Sequence, residues 1–214
     1  MLLVKFNEPT ELHPIAVHGV YHQVGIDLIG PFQPSLSCNR SIVKCIDYMT
    51  KNAEAKALSS KESARVAEFF HDDIVCRHGT PSVCTFDQGG EFEGPFQELL
   101  DRCCIDHRLT SAYHPQANCL TERFNQTLET ALKKMVGQYP EHWDTHISTI
   151  LMGYRASIQA STQYSPVFLL HGRDKVLPVH NLHKLRAPEA DTIEPTAGSG
   201  EQHAAPAAGL GHSS

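Results

Sequence analysis

Three acidic residues stand out by the company they keep. Asp27 lies inside the apolar run Val24-Gly25-Ile26-Asp27-Leu28-Ile29, where strand alternation puts Val24, Ile26 and Leu28 on one face and Gly25, Asp27 and Ile29 on the other. A bare carboxylate there is costly unless paired or metal-bound. The plainer reading is an Asp that caps the turn at Gly30-Pro31. Asp87 ends the run Ser82-Val83-Cys84-Thr85-Phe86, so a strand delivers it to the carboxyl edge of a sheet, where α/β proteins keep their chemistry. The plainer reading is an Asx turn ahead of Gly89-Gly90. Glu122 falls in the first turn of a long amphipathic helix, just after a loop without periodicity, and an acidic side chain there also serves the helix dipole. Carboxylates in such places offer hard oxygen ligands, the kind that suit Mg²⁺.

The elements that must position them follow from pattern. VGIDLIG, SIVKCIDYM and EAKAL are apolar runs separated by turn signals and read as strands. Ser59-Ser60-Lys61-Glu62 offers a capping box for a helix whose stripe is Ala64, Val66, Ala67, Phe69, Phe70 and Ile74, ending at Gly79. SVCTFD is a strand, GPFQELLDRCC a helix, IDHRL a strand and SAYHPQAN a loop. A long helix runs from about Leu120 to Gln138, with Phe124, Leu128, Ala131, Leu132 and Met135 on its apolar face. HWDTHISTILMGYRA and SPVFLLHG read as further helices, a sequence of elements typical of mixed α/β layers.

Composition sets limits on this reading. With 214 residues, 41% hydrophobic and 20% charged, the chain suits one domain with an appendage. Lys5 and Pro9 interrupt the opening, and no apolar stretch is long enough for a bilayer, so neither a secretory leader nor a membrane span is expected. Seven cysteines without a C-x-x-C spacing argue for intracellular free thiols and against a disulfide framework or a zinc ribbon. From Ala187 the chain is rich in Ala, Gly, Pro and Ser and is expected to be a disordered tail. The tail carries four acidic residues and no Lys or Arg. Removing it changes the formal charge from −6 to −2, with 18 basic against 20 acidic side chains in residues 1–186. A nearly neutral body holds DNA only if phosphates are met locally, by metal ions or by other domains.

GIDLIGPF, DYMTKNAEA, RHGTP, DQGGEF, AYHPQANCLTERFNQTL and SPVFLLHGR occur in the order and approximate spacing of the retroviral-type integrase core of Ty3/gypsy retrotransposons, which residues 13–178 therefore resemble. The resemblance implies a ribonuclease-H-like fold, a mixed five-stranded sheet flanked by helices. It also implies three catalytic, metal-binding carboxylates, whose motif positions here are Asp27, Asp87 and Glu122. The organisation it implies is a linker remnant over 1–20, the catalytic core over 21–180 and the acidic tail over 181–214. Asp47, Glu54, Glu91 and Asp106 stand outside the catalytic positions and are read as structural.

The implied activity is DNA 3′-end processing and strand transfer, that is, DNA integration by a polynucleotidyl transferase with endonuclease activity. Such chemistry needs an activated oxygen, a stabilised leaving oxygen and shielding of the phosphate, which two Mg²⁺ or Mn²⁺ ions roughly 3.5–4 Å apart supply. No zinc is expected in this chain, and no His or Cys nucleophile is required. Crowded carboxylates repel one another, so the site should be poorly formed until cations arrive. His114, Gln116, Asn118 and Arg123 match the family's motif around the active-site loop, and Asn125, Gln126 and Lys133 share a helical face with Glu122. These seven are the expected DNA-binding residues, although an ordinary solvated helix face would look the same. The implied partners are retroelement ends, target DNA and a second copy of the chain, and the implied location is the nucleus.

Three departures from the family pattern bear on activity. Asp87 and Glu122 are separated by 34 residues, one fewer than usual, a difference placed between Phe92 and Phe96. Cys119 replaces a usual glycine, which is unfavourable where the backbone needs positive φ. The family's zinc module and basic C-terminal region are not seen. A catalytically silent DNA- or protein-binding module and a nuclease that cuts without joining are the alternatives.

Overall fold

A computed structural model describes residues 19–109 and 115–181, with backbone alone for 115–120. Most of the expected linker and tail, the loop holding His114, and the side chains of Gln116, Asn118 and Cys119 lie outside the described residues. The chain divides into two units, Met1–Lys175 and Val176–Ser214, and the strands and helices below lie in the first.

The three apolar runs form β1 (Gln23–Ile29), β2 (Ser41–Asp47) and β3 (Ala53–Leu58), and SVCTF and IDHRL supply β4 (Val83–Phe86) and β5 (Asp106–Leu109). The sheet order is β3-β2-β1-β4-β5. The first three strands are antiparallel, and β1-β4 and β4-β5 are parallel. This is the expected mixed five-stranded sheet.

Alternation sorts the side chains as the sequence predicts. Val24, Ile26, Val43 and Cys45 join one core with Val66, Phe69 and Phe70 of α1 (Ser63–Phe69) and its continuation. Phe86, Phe92 and Phe96 close the far end of that core with ring centroids 5.1–5.5 Å apart, Phe96 meeting the other two edge to face. Phe92 lies in a 3₁₀ turn (Gly90–Phe92) and Phe96 in α3 (Pro95–Arg102). Ile42 and Ile46 face the other way, against Phe124, Leu128 and Leu132 of α4 (Pro115–Val136) and Ile147, Ile150 and Leu151 of α5 (Ile147–Ala156). The β2 strand is buried throughout because helices cover both its faces. A short helix, α6 (Pro166–His171), follows. Ser165 caps it, its hydroxyl oxygen accepting from Phe168 N at 3.1 Å.

Two local expectations fail. The capping box at Ser59–Glu62 does not form: α1 starts at Ser63, and Glu62 makes no side-chain cap. The polar side chain at that start, Ser63, turns to another segment, its hydroxyl donating to Glu93 O and accepting from Phe96 N at 3.0 Å. The helix also widens into a π segment (Phe70–Val75) before its last turn, α2 (Cys76–His78), and stops at Gly79. The long helix α4 begins at Pro115, five residues before the expected start, so Glu122 lies in its interior and not in its first turn. Pro is favoured at a helix start, and its fixed φ suits the entry of Pro115-Gln116-Ala117-Asn118 into the helix despite the segment's lack of apolar periodicity.

Asp47 and Glu54 serve the fold. Asp47, fully buried, accepts from Tyr21 N at 3.1 Å and from Thr50 N and Oγ1 at 2.9 and 2.6 Å. Glu54 pairs with Arg155 at 2.5 Å and His78 at 3.2 Å. Burial works against its charge, but the hydrogen bond from His78 and the charges of Arg155 and Arg77 outweigh it and hold its carboxyl below the ordinary value. Such a group adds stability above the usual carboxylate range and loses it as pH falls through its lowered value. Glu54→Gln is therefore expected to cost about 2 kcal/mol at pH 7 by leaving the half-buried Arg155 without its carboxylate. It should also flatten the acid limb of stability, as urea melts between pH 7 and pH 3 would show.

Candidate active site

Parallel pairing of β1 with β4 brings the first two carboxylates together. Gln23 pairs with Val83, Val24 with Cys84 and Gly25 with Thr85. Carried two residues further, that register sets Asp27 beside Asp87 on strands about 4.8 Å apart. Both lie on the face that α4 crosses. Phe124, 2% exposed, anchors the helix to that face, its ring packing edge to face with Tyr154 at 4.7 Å. Glu122, two residues earlier, is thereby held over the strand ends. Asp27, Asp87 and Glu122 line one open pocket of about 230 Å³, together with Tyr48, Thr85 and Thr121.

The pocket's electrostatics are uneven. Burial, then the nearby Asp27 carboxylate and Glu91, push the Asp87 carboxyl above its ordinary value, against a hydrogen bond from Gly89 N at 3.3 Å. Asp27 has a cation at hand: Lys44 Nζ lies 3.0 Å from its Oδ2. Burial pulls the Lys44 ammonium below its ordinary value, and Asp27 opposes that pull. Among the described residues, the set of three His, Cys, Asp or Glu side chains whose ligand atoms all lie within 4.8 Å of one another is the exposed His71, Asp72 and Cys76. The three pocket carboxylates stand further apart than that. Mutual repulsion and the pull of Lys44 on Asp27 both work in this direction.

Tyr48 forms the floor. Burial pushes its hydroxyl up to about 12, while hydrogen bonds with Thr85 and Thr121 pull the other way. Its ring lies so close to β1 that a Cβ on Gly25 would stand 2.8 Å from Tyr48 Cε1. Glycine at that position is what lets the ring lie flat against the strand.

The expected DNA-binding residues separate. Arg123, Gln126 and Lys133 are exposed on α4, and Lys133 makes an ion pair with Glu129 at 3.7 Å. Asn125, half-buried, turns toward the sheet and gives its Nδ2 to Asp27 Oδ2 at 3.2 Å, so it positions a carboxylate. Glu91 lies in the 3₁₀ turn beside Asp87, and Asp106 pairs on the surface with Arg108 at 3.4 Å. The pattern of residues missed Lys44, Tyr48, Thr85 and Thr121. Only Lys44 left a signal: a lysine inside the apolar run SIVKCID.

No protein-family model matches the chain. It is 24% identical over 168 residues to the retrovirus-related Pol polyprotein from transposon 412 of Drosophila melanogaster, covering 77% of this chain and 14% of that one. Against the Pro-Pol polyprotein of feline foamy virus it is 27% identical over 187 residues, covering 83% and 16%. Against the transposon Tf2-3 polyprotein of Schizosaccharomyces pombe it is 26% identical over 156 residues, covering 71% and 11%. The chain thus spans between 11% and 16% of the length of these curated relatives. Among solved structures, the HTLV-2 integrase catalytic core domain in complex with magnesium superposes with a TM-score of 0.58 at 17% identity, covering 71% of this chain and 97% of that domain. A chain of the simian T-cell lymphotropic virus intasome, in complex with a PP2A regulatory subunit, superposes with a TM-score of 0.62 at 19% identity, covering 84% and 60%. The chain is homologous to retrotransposon and retroviral Pol polyproteins, and it carries the ribonuclease-H-like fold of retroviral integrase catalytic cores.

Proposed function

We propose that this chain is the catalytic core of a DNA integrase of the Ty3/gypsy kind, a polynucleotidyl transferase that trims 3′ ends of retroelement DNA and joins them to target DNA. One observation carries the reading: two neighbouring parallel strands and a crossing helix set Asp27, Asp87 and Glu122 around a single pocket.

The donor set fits divalent cations. It consists of hard oxygens, and the burial and acidic neighbours that push Asp87 upward make the electrostatic demand that a cation answers. Asp27 and Asp87 would hold a pair of Mg²⁺ or Mn²⁺ ions jointly, and Glu122 would complete one coordination sphere. When bound, such ions activate the attacking oxygen and stabilise the leaving one. The chain's own groups do the positioning. Asn125 fixes the orientation of Asp27, the Tyr48 hydroxyl ties β2 to β4 and α4 through Thr85 and Thr121, and Phe124 sets the height of Glu122. Arg123, Gln126 and Lys133 present donors along α4 to DNA phosphates, with His114, Gln116 and Asn118 preceding them. In the exchange, a 3′-hydroxyl gives up its proton and bonds to phosphorus while the displaced 3′-oxygen leaves and is protonated.

The reading extends to assembly with a second copy of the chain and to action in the nucleus, where target DNA lies. The solved HTLV-2 cores include dimeric and trimeric forms. A second reading, a catalytically silent binding module, is favoured by the Lys44–Asp27 ion pair. Incubation with a branched integration intermediate and Mn²⁺, beside the Asp87→Asn variant, separates them. Joining lost in the variant supports the transferase, and cutting without joining supports a nuclease. No product from either protein supports the silent module.

A further inference from the structure

A cation of the chain's own, Lys44, adjoins the pocket through Asp27. Lys44 is the direct cross-strand partner of Asp27 in the β1–β2 register, so the two side chains share a face and start side by side. It is 2% exposed. Ile42 and Ile46 flank it along β2, and its Nζ lies 5.9 Å from the centre of the Phe124 ring. That Nζ sits 3.0 Å from Asp27 Oδ2 and donates to Thr121 O at 3.4 Å, on the helix turn that carries Glu122. Asn125 Nδ2 donates to the same Oδ2 at 3.2 Å, and Leu28 N donates to Oδ1 at 2.8 Å. Both oxygens of Asp27 therefore already serve donors of the chain.

We infer that Lys44 is a tethered counter-ion that competes with divalent cations for Asp27, so that cation loading of the pocket requires Lys44 to give up Oδ2. Two consequences follow from charge alone. The ammonium lowers the pocket's negative charge from three carboxylates to a net of two, which weakens its attraction for a divalent ion. Any ion seated on Asp27 Oδ2 also faces a positive charge a few ångströms away, in surroundings that screen it poorly. The buried stem prevents the ammonium from swinging out to water, as a surface lysine would. Metal affinity is thus set by a residue outside the carboxylate set. The inference rests on the proposed metal-dependent reading of this pocket.

Calorimetric titration of the full chain with Mn²⁺ tests it, using wild type, Lys44→Met, Lys44→Gln and Lys44→Arg. Met keeps the length of the stem without the charge, Gln keeps a donor for Asp27 in case Met prevents folding, and Arg restores the charge. Lys44→Met and Lys44→Gln should bind Mn²⁺ at least about tenfold more tightly than wild type, and Lys44→Arg should stay weak. Their melting temperatures should also rise more with 10 mM Mn²⁺ than that of wild type (about 10 mM being chosen to saturate the tighter site). Equal Mn²⁺ affinity in wild type and the neutral variants overturns the inference while leaving the metal-dependent reading intact. So does a Lys44→Arg protein that binds as tightly as Lys44→Met. Absence of Mn²⁺ binding in every variant at millimolar concentration overturns the inference together with that reading.

Discussion

Asp87→Asn is expected to lower strand joining on a branched DNA substrate by at least about 10³-fold, some 4 kcal/mol of transition-state stabilisation, while the protein stays folded. Asp87 lies at the carboxyl end of β4, where the register with β1 sets it beside Asp27, so under the proposed function it is the residue through which both strands would meet a shared cation. Asparagine keeps the shape and one acceptor oxygen but not the charge. The two readouts should move in opposite senses. Asp87 is repelled by Asp27 and Glu91, so the neutral amide relieves the apo site. Melting in EDTA should therefore occur at the wild-type temperature or above, while activity collapses. Loss of activity accompanied by a lowered melting temperature would instead assign Asp87 to the fold. The assay is gel analysis of joined product in parallel with thermal melts.

Phe124→Ala is expected to cost about 3–5 kcal/mol, the usual result of emptying a fully buried aromatic site. In a domain of this size that corresponds to a fall in melting temperature on the order of 10 °C. The ring packs against Tyr154 of α5, lies under Lys44, and belongs to the core with Ile42 and Ile46. Its loss should reach the chemistry as well, because Glu122 is held over the strand ends by the helix turn that Phe124 anchors. Joining by the variant at a temperature where it remains folded should fall by at least about tenfold, since a misplacement of about 1 Å carries large kinetic penalties. Phe124→Leu keeps most of the buried volume and should restore much of both properties.

Legibility in the sequence follows the range of the interaction. The face of β1 that carries Asp27 is a local property, set by alternation, and it reads directly from Val24, Ile26 and Leu28 against Gly25 and Ile29. The apolar stripe of α4 is local too, and Phe124, Leu128 and Leu132 are buried as its periodicity requires. The end of α2 at Gly79 is equally local, a glycine at φ 90°. The register that opposes Asp27 and Lys44 is different, because it depends on how β1 and β2 slide past each other and is written in neither strand alone. Lys44 therefore passed as one polar residue in an apolar run. Asn125 looked like a surface donor because helical period tells which residues share a face, and not how deep that face lies. The start of α4 is not legible by periodicity because Pro115-Gln116-Ala117-Asn118 lacks an apolar stripe, and the signal there is the proline at the first helical position. The capping box failed for a reason outside its own segment, since Ser63 is drawn to Glu93 and Phe96 of the neighbouring turn.

Shared divalent cations at Asp27, Asp87 and Glu122 would be visible by anomalous diffraction from crystals of the full chain equilibrated in saturating Mn²⁺. The expected result is metal peaks within coordination distance of Asp27 and Asp87 together, with Glu122 drawn onto one of them and Lys44 Nζ displaced from Asp27 Oδ2. A structure in which Mn²⁺ is found only at His71, Asp72 and Cys76, or in which any one of the three carboxylates stays turned away from the ions held by the others, would contradict it.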